Sequence, residues 1–408
     1  MASKINLIVN PNYAISGPKS YTHLMRKYRL HPTQNGPYSI GRTIHQTGRP
    51  FTTKPIGGRA RFHDVIHKHL PGSELQQCET DDFQNDAVFF VPVDIGSPPQ
   101  NVQLVLDSAS ADFWVRSLAE GNRGFDSAKS STFAPFEDAT WKVSRIDGSS
   151  VSGSFGTDEI TIGGVTSKEQ TVQLADAVSP AFARASGDGV LGLSFGSIST
   201  LTPKVKTLAD RLTADHDIAS SDKLFTVKLG SWGDNELEQP FCTLGYIDQE
   251  TVRSCGNGVK YTSVDNERGY WMLDSVSLTI GEQTVDRPDN KAVVDTDAAL
   301  TLLDDRACQA IYDSVPGAYY DVDSQGYLVP AEIDVDALPE LKLAVGGDLF
   351  RVPKQSLLFG EAKAGHVYGG VQSRGSLEFD VFGKPFLDGV YVIFDVGATR
   401  LGIAQPSL

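Results

Sequence analysis

Two segments of this chain end an apolar run in an aspartate that is followed by a small hydroxyl residue. They read LVLDSA at residues 104–109 and AVVDTD at residues 292–297, so that Asp107 and Asp295 lie 188 positions apart. Two carboxylates held face to face suit general acid–base catalysis, because the ionised one can take a proton from water while the protonated one polarises a carbonyl. The pair predicts two related halves that each contribute one aspartate to a shared site.

A second pair of similar segments supports this duplication. VLG at residues 190–192 is echoed by VFG at residues 381–383, which lies 191 positions further along the chain. Two landmarks that recur at nearly one offset indicate a repeated half of roughly 190 residues, far longer than the ~20 to 50 residues of a solenoid repeat. We therefore expect two similar lobes with a cleft between them.

The composition is typical of a large β protein. A chain of 408 residues exceeds the limit of about 250 to 300 residues for one hydrophobic core. Its 39 glycines and 21 prolines separate short alternating runs such as residues 89–95 and 275–280, which predict strands joined by tight turns. Helices are expected to be few, with the clearest patterns over residues 202–212 and 304–314.

The order of these segments resembles the pepsin family of aspartic proteases, particularly its fungal branch. LDSASADFWV at 106–115, WKVSRIDGSSVSG at 141–153 and DGVLGL at 188–193 resemble the family's first aspartate loop, its flap hairpin and a following framework motif. The resemblance extends from about residue 80 to the C-terminus. It implies an all-β, bilobal double β-barrel fold with a few short helices.

The resemblance also implies a division of the chain into three parts. Residues 1–79 form a propeptide-like N-terminal extension, residues 80–223 an N-terminal lobe with the first aspartate loop and the flap, and residues 224–408 a C-terminal lobe with the second aspartate loop.

Residue by residue, Asp107 and Asp295 match the two catalytic aspartates of the family, which share one proton. Ser110 is expected to offer its hydroxyl to the Asp107 carboxylate. The second loop departs from the family, because Asp297 replaces a glycine and two alanines, 298 and 299, replace hydroxyl residues. Fewer donors and an added negative charge predict a raised pKa for Asp295. We expect Asp107, Asp295 and Asp297 to titrate as one coupled catalytic unit.

The flap departs as well, because Arg145 and Ile146 stand where the family carries Tyr-Gly before Asp147. Arg145 could stack on Trp114, pair with Asp297, bind a substrate carboxylate or enolate, or point into solvent. The residues predicted to bind substrate are Arg145, Ser110, Trp114, Ile146 and Asp147.

Three functions are consistent with these departures. The first is a repurposed pepsin-fold enzyme that performs acid–base catalysis, by isomerisation, dehydration or cyclisation, on a small, largely hydrophobic molecule, as in fungal secondary metabolism. The second is an active aspartic endopeptidase in which the extension is removed at low pH, with a basic residue such as Lys54 paired with the dyad beforehand. The third is a pseudoprotease that binds peptides without cleaving them.

The net charge and the length of the apolar runs limit the kinds of partner that this protein can bind. The net charge of −15 argues against nucleic acid and anionic membranes, and no apolar run approaches the ~20 residues that span a bilayer. We expect a monomer that binds a small molecule or a peptide in the cleft between the lobes.

The extension resembles the propeptide of secreted relatives, yet the first ten residues lack the apolar core of a signal peptide. This predicts a cytoplasmic protein, or a secreted or vacuolar one if an export signal precedes the printed sequence.

The metal-ligating residue types show no clear site. His63 and His67 have a spacing that could bind zinc on a helix, but no third ligand follows in an obvious pattern, and surface histidines are the simpler interpretation. The four cysteines lack metal-ligand spacing. We expect neither a metal nor a cofactor. The cysteines are Cys78, Cys242, Cys255 and Cys308.

Overall fold

Short strands joined by turns make up most of the chain. The computed structural model describes residues 3–44, 62–69, 76–82, 87–118, 123–214, 222–230 and 239–407. The strands up to residue 192 are β1 Ile5–Asn6, β2 Ile8–Val9, β3 Tyr38–Ile44, β4 Phe62–Lys68, β5 Gln76–Gln77, β6 Phe89–Ile95, β7 Gln100–Asp107, β8 Phe113–Arg116, β9 Ala134–Pro135, β10 Trp141–Ser144, β11 Ser150–Gly153, β12 Phe155–Ile162, β13 Val165–Ala175, β14 Ala177–Val178 and β15 Gly189–Gly192.

The remaining strands build the second half. They are β16 Leu224–Lys228, β17 Phe241–Leu244, β18 Lys260–Ser263, β19 Met272–Asp274, β20 Ser277–Ile280, β21 Gln283–Asp286, β22 Lys291–Val294, β23 Thr301–Leu303, β24 Tyr319–Asp321, β25 Gly326–Pro330, β26 Leu341–Val345, β27 Asp348–Val352, β28 Leu358–Lys363, β29 His366–Gly369, β30 Val371–Ser373, β31 Phe379–Phe382, β32 Tyr391–Asp395 and β33 Arg400–Ala404.

The α-helices are short. They are α1 Gly17–Tyr28, α2 Pro180–Ala183, α3 Leu208–Ala214, α4 Gln249–Ser254, α5 Asp305–Asp313 and α6 Lys384–Leu387. The helix expected over 304–314 is α5, which Asp304 caps by accepting a hydrogen bond from the main-chain N–H of Ala307. The helix expected over 202–212 begins later, at Leu208, because Thr202 forms a β-bridge with Thr140 and Pro203 lies in a bend. In the described ranges, no helix is long and apolar enough to cross a bilayer.

The two halves repeat one strand arrangement. In the first half β15 runs parallel to β7 and antiparallel to β8, and in the second half β31 runs parallel to β22 and antiparallel to β23. An eight-stranded sheet in the order β2-β6-β7-β15-β8-β13-β12-β9 forms the first lobe, and smaller sheets of five, four and four strands form the second. The bilobal all-β fold and the duplication expected from sequence are confirmed.

A six-stranded sheet in the order β1-β17-β16-β32-β33-β18 lies alongside the second half. Its strands β16 and β32 are buried, and the rings of Phe225 and Phe394 on them stack at 4.4 Å and both meet Trp271 edge-on. Such pairs add about 0.5 to 1.5 kcal/mol beyond the burial of apolar area.

The N-terminal extension is integrated into this framework. Its first strands are edge strands, since β1 pairs with β17 and β2 pairs with β6, while β3, β4 and β5 form a separate three-stranded sheet. Helix α1 lies between β2 and β3 in the chain. Pro18 occupies its first turn, where the missing N–H removes no hydrogen bond from the helix. Arg29 then ends the helix in the left-handed conformation with φ 54°.

Candidate active site

The two aspartate loops meet through matched hydrogen bonds. The main-chain N–H of Ser108 donates to Thr296 Oγ1 at 3.0 Å, and the N–H of Thr296 donates to Ser108 Oγ at 3.1 Å. Each hydroxyl in turn donates across to a carbonyl of the other half, at Val294 and Leu106. All four groups are buried and satisfied, so the hydroxyl residue after each aspartate locks the two halves together.

The same symmetry orients the two carboxylates. Asp107 Oδ1 accepts from the N–H of Ala109 at 2.8 Å, and Asp295 Oδ1 accepts from the N–H of Asp297 at 3.0 Å. Ala109 and Asp297, which stand where the resemblance to the pepsin family implies glycine, do not have positive φ values. The replacements therefore add no left-handed strain.

Ser110 does not play the part expected of it. Its hydroxyl is buried and has no hydrogen-bond partner within the described residues. The prediction that it donates to Asp107 is wrong for this state, because Asp107 Oδ1 already accepts from Ala109 and from the ammonium group of Lys27.

Lys27, at the end of α1, inserts its ammonium group between the aspartates. Nζ lies 3.0 Å from Asp107 Oδ1, 2.9 Å from Asp295 Oδ2 and 3.2 Å from Asp297 Oδ2. The lysine side chain is only 5% exposed and that of Asp295 is fully buried. The structure thus brings the three predicted carboxylates together around the ammonium group of Lys27, which was not predicted from the sequence.

Burial and charge shift the pKa values in this cluster in opposite directions. Burial disfavours a charged lysine, but the three carboxylates outweigh it and hold the pKa of Lys27 above its usual value. Burial raises the pKa of Asp295 to about 6, and the charges of Asp107 and Asp297 add to the rise while Lys27 opposes it. The expected rise for Asp295 is confirmed, with burial as its largest cause.

Asp297 behaves differently, because it faces two basic groups. Burial acts to raise its pKa, but Lys27 and His23 outweigh this and place the pKa of Asp297 well below its usual range. His23 Nε2 lies 3.7 Å from Asp297 Oδ2. Burial lowers the pKa of His23, which keeps this imidazole neutral at pH 7.

Two further contacts of α1 help to cover the two aspartates. Tyr28 donates its hydroxyl to Asp295 Oδ2 at 2.7 Å, and Arg26 Nη1 lies 3.5 Å from Asp147 Oδ2 on the flap. The expectation that a basic residue of the extension pairs with the dyad is confirmed, but the residue is Lys27. Lys54 lies outside the described residues. The sequence signal that could have indicated Lys27 is the pair of adjacent basic residues, Arg26 and Lys27, in the last turn of α1.

The flap is the antiparallel hairpin of β10 and β11, as expected. Its turn is fixed by hydrogen bonds from the N–H of Arg145 to the carbonyl of Ser149 and from the N–H of Gly148 to the carbonyl of Arg145. Ile146 is buried in the same apolar cluster as Tyr21 and Met25 of α1.

Three more predicted substrate-binding residues, Asp147 and Arg145 of the flap and Trp114 of β8, have defined contacts. Asp147 Oδ1 accepts from the N–H of Ser149 at 3.0 Å and from its hydroxyl at 2.6 Å. Trp114 stacks on Trp141 with ring centroids 6.0 Å apart. The guanidinium of Arg145 lies over Phe182 at 5.9 Å, and neither of its predicted partners, Trp114 and Asp297, is the one it contacts.

Metal-ligating residues do not cluster in the described part of the chain, where no group of three or more could hold an ion. His63 and His67 lie on strand β4, so the helical spacing considered from sequence does not apply. The four cysteines are buried free thiols.

Comparison with known proteins agrees with this geometry. The family described as "Eukaryotic aspartyl protease" matches residues 88–406. Aspergillopepsin-1 of Aspergillus oryzae is 32% identical over 91% of this chain and 94% of that protein, and penicillopepsin-1 of Penicillium janthinellum is 34% identical over 79% of this chain and 96% of that protein. The crystal structure of an aspartic proteinase from Irpex lacteus superimposes with a TM-score of 0.63 and 24% identity, covering 78% of this chain and 94% of that one, and supports the fold.

Proposed function

Because the chain belongs to the eukaryotic aspartyl protease family, as a fungal pepsin-like member, we propose that it is the latent precursor of an endopeptidase that hydrolyses peptide bonds in acid. The observation that carries the proposal is the position of Lys27, whose ammonium group lies within 3.0 Å of both Asp107 and Asp295. An extension of the same chain thus fills the place where a substrate carbonyl and the attacking water would meet.

The chemistry follows from the dyad once the extension leaves. Asp107 and Asp295 then lose their shared counter-ion, and two facing carboxylates retain one proton between them. The ionised member takes a proton from water while the protonated member donates to the carbonyl oxygen of the scissile amide. A tetrahedral intermediate then collapses with protonation of the leaving nitrogen, and no covalent enzyme adduct forms.

The proposal includes the partners expected from sequence. A peptide is the substrate, the protein acts as a monomer, and neither nucleic acid nor a membrane is a partner. The net charge of −15 supports the last two points.

Acid–base catalysis on a small hydrophobic molecule is the second candidate function. The observation that favours it is the altered second loop, in which Asp297 adds a third carboxylate and the pKa of Asp295 is raised to about 6, a value suited to proton transfer near neutral pH. The tight occlusion of the dyad by polypeptide favours the endopeptidase over this candidate and over a protein that only binds peptides.

The deciding experiment measures cleavage of a denatured protein and of a mixed peptide library from pH 3 to 7. We expect the wild type to cleave both and to trim its own N-terminus in acid, and we expect Asp107→Asn to do neither. Asp138→Asn is the matched control, because Asp138 is an exposed residue of the same lobe whose positive φ asparagine also tolerates.

Cleavage that persists in Asp107→Asn would contradict the assignment of the dyad. If a folded wild-type protein cleaves nothing at any pH after the extension has been displaced, the endopeptidase proposal is wrong. The search would then turn to small molecules.

A further inference from the structure

A cavity of about 80 Å³ lies directly beside the reactive carboxylate of Asp107. Apolar side chains, among them Trp114, Phe182 and Val190, form one wall, and Arg145 reaches it from the flap. The other side is closed by residues of the extension, including His23 and Arg26. The cavity therefore widens when the extension leaves, and its position beside Asp107 assigns it to a residue that flanks the scissile bond.

Arg145 carries a polar group into this apolar wall without a protein partner for it. Its Nε–H is buried and donates to no acceptor within the described residues, and no carboxylate of that part of the chain lies within ion-pair distance of its guanidinium. The contact with Phe182 at 5.9 Å compensates only in part. A buried donor without an acceptor is costly, so the site gains most from a ligand that brings an anionic oxygen.

The neighbouring charges do not satisfy Arg145. Asp147 is held by Ser149 and by Arg26 of the extension. Asp297 faces Lys27 and His23.

The second arginine on the cavity wall is already engaged. Arg116 donates to the main-chain carbonyls of Phe182, Ala185 and Gly187. Of the two arginines on this wall, only Arg145 has a buried N–H group that lacks an acceptor among the described residues. That group therefore still requires a partner after the extension has left.

We propose that Arg145 makes the enzyme select peptides with an acidic side chain, best glutamate, next to the scissile bond. This inference rests on the proposed endopeptidase function. The methylene groups of glutamate suit the wall of Trp114, Phe182 and Val190, and its carboxylate can accept two parallel hydrogen bonds from the guanidinium fork. A glutamine of the same shape would accept one weaker bond and leave the positive charge uncompensated.

The test compares pairs of peptides that differ only in glutamate or glutamine beside the cleaved bond, at pH 5.5, where the glutamate is ionised. We expect kcat/KM to favour glutamate by at least about tenfold. Arg145→Met, which keeps the apolar stem, should remove that preference. Lys142→Met, which removes one exposed charge from the same hairpin, should retain it. Equal rates on both peptides in the wild type, or a preference that survives in Arg145→Met, would overturn the inference.

A binding measurement separates this inference from the endopeptidase proposal. The full chain carrying Lys27→Glu, in which charge repulsion by the dyad opposes docking of α1, is titrated with analogues whose scissile bond is reduced. Arg145-dependent preference for the glutamate analogue without cleavage of any peptide would retain the role of Arg145 and reject the endopeptidase. Cleavage without a preference for glutamate would retain the endopeptidase and reject the role of Arg145. Absence of both cleavage and preference would reject both proposals.

Discussion

A single ammonium group balances three carboxylates at the centre of this protein. Lys27 lies 2.9 to 3.2 Å from Asp295, Asp107 and Asp297, and all four side chains are largely removed from water. Such a cluster is stable only while its charges are matched, because an unpaired buried ion costs several kcal/mol. Loss of the lysine is therefore expected to weaken the docked state more than loss of any exposed charge.

We predict that Lys27→Ala weakens docking of the extension by on the order of 3 kcal/mol, so that the extension is released at a higher pH than in the wild type. N-terminal sequencing and size analysis after timed acidification will measure this. Lys19→Ala is the control, because Lys19 is exposed on the same helix and its loss should change nothing. Equal release curves for Lys27→Ala and the wild type would show that the ion cluster does not hold the extension.

Helix α1 is the element that closes the site, and its fit is close. A Cβ on Gly17 would come within 2.0 Å of Tyr368 Cγ, so only glycine allows the start of the helix to lie this near the second lobe. Acid opposes this docking through two groups whose pKa values are lowered in the docked state. His23 is held neutral by burial, and Asp297 is held ionised mainly by Lys27.

The sign is the same for both groups. The free extension gains a proton at His23 as pH falls below 6.5, its ordinary value, which favours the undocked state. Asp297 stays in the body of the protein and loses Lys27 and His23 when the extension leaves, so undocking raises its pKa and acid again favours the undocked state. Docking is therefore stable at pH 7 and is lost in two stages on acidification.

We predict that His23→Gln removes the first stage and shifts release of α1 to lower pH. Because burial lowers the pKa of docked His23, its contribution against docking grows as the pH falls below 6.5. Hydrogen exchange of the amides of residues 17–28 from pH 7 to 4 will report it. His31→Gln, at an exposed position outside the helix, should follow the wild type. A His23→Gln curve that coincides with the wild type between pH 6 and 4.5 would contradict this account.

Across the whole molecule, the lobes are held by sheets and apolar packing without covalent links. All four cysteines are buried free thiols. We predict that the unfolding midpoint is the same with and without a thiol reductant, and that alkylation labels four thiols only after denaturation. A lower midpoint in reductant would reveal a cross-link.

The sequence by itself determined the dyad and the frame that carries it. Asp107 and Asp295 were found because each ends an apolar strand and the motif occurs twice at the repeat offset. The strand at 89–95 was found because alternation is a local signal, and the flap hairpin was identified from the resemblance of residues 141–153 to the pepsin family. The direction of the pKa shift of Asp295 was expected from the added carboxylate of Asp297, but its largest cause, burial, depends on the tertiary structure.

Only the tertiary structure decided which groups face these carboxylates. Lys27 is 80 positions from Asp107 and 268 from Asp295, and no periodicity or motif links residues that far apart. For the same reason Ser110 was predicted to donate to a carboxylate that already accepts from Lys27 and Ala109. Arg145 was predicted to stack on Trp114, but it lies over Phe182. Contacts between distant segments depend on how the lobes and the extension pack, and packing follows from the shapes of all the surfaces together.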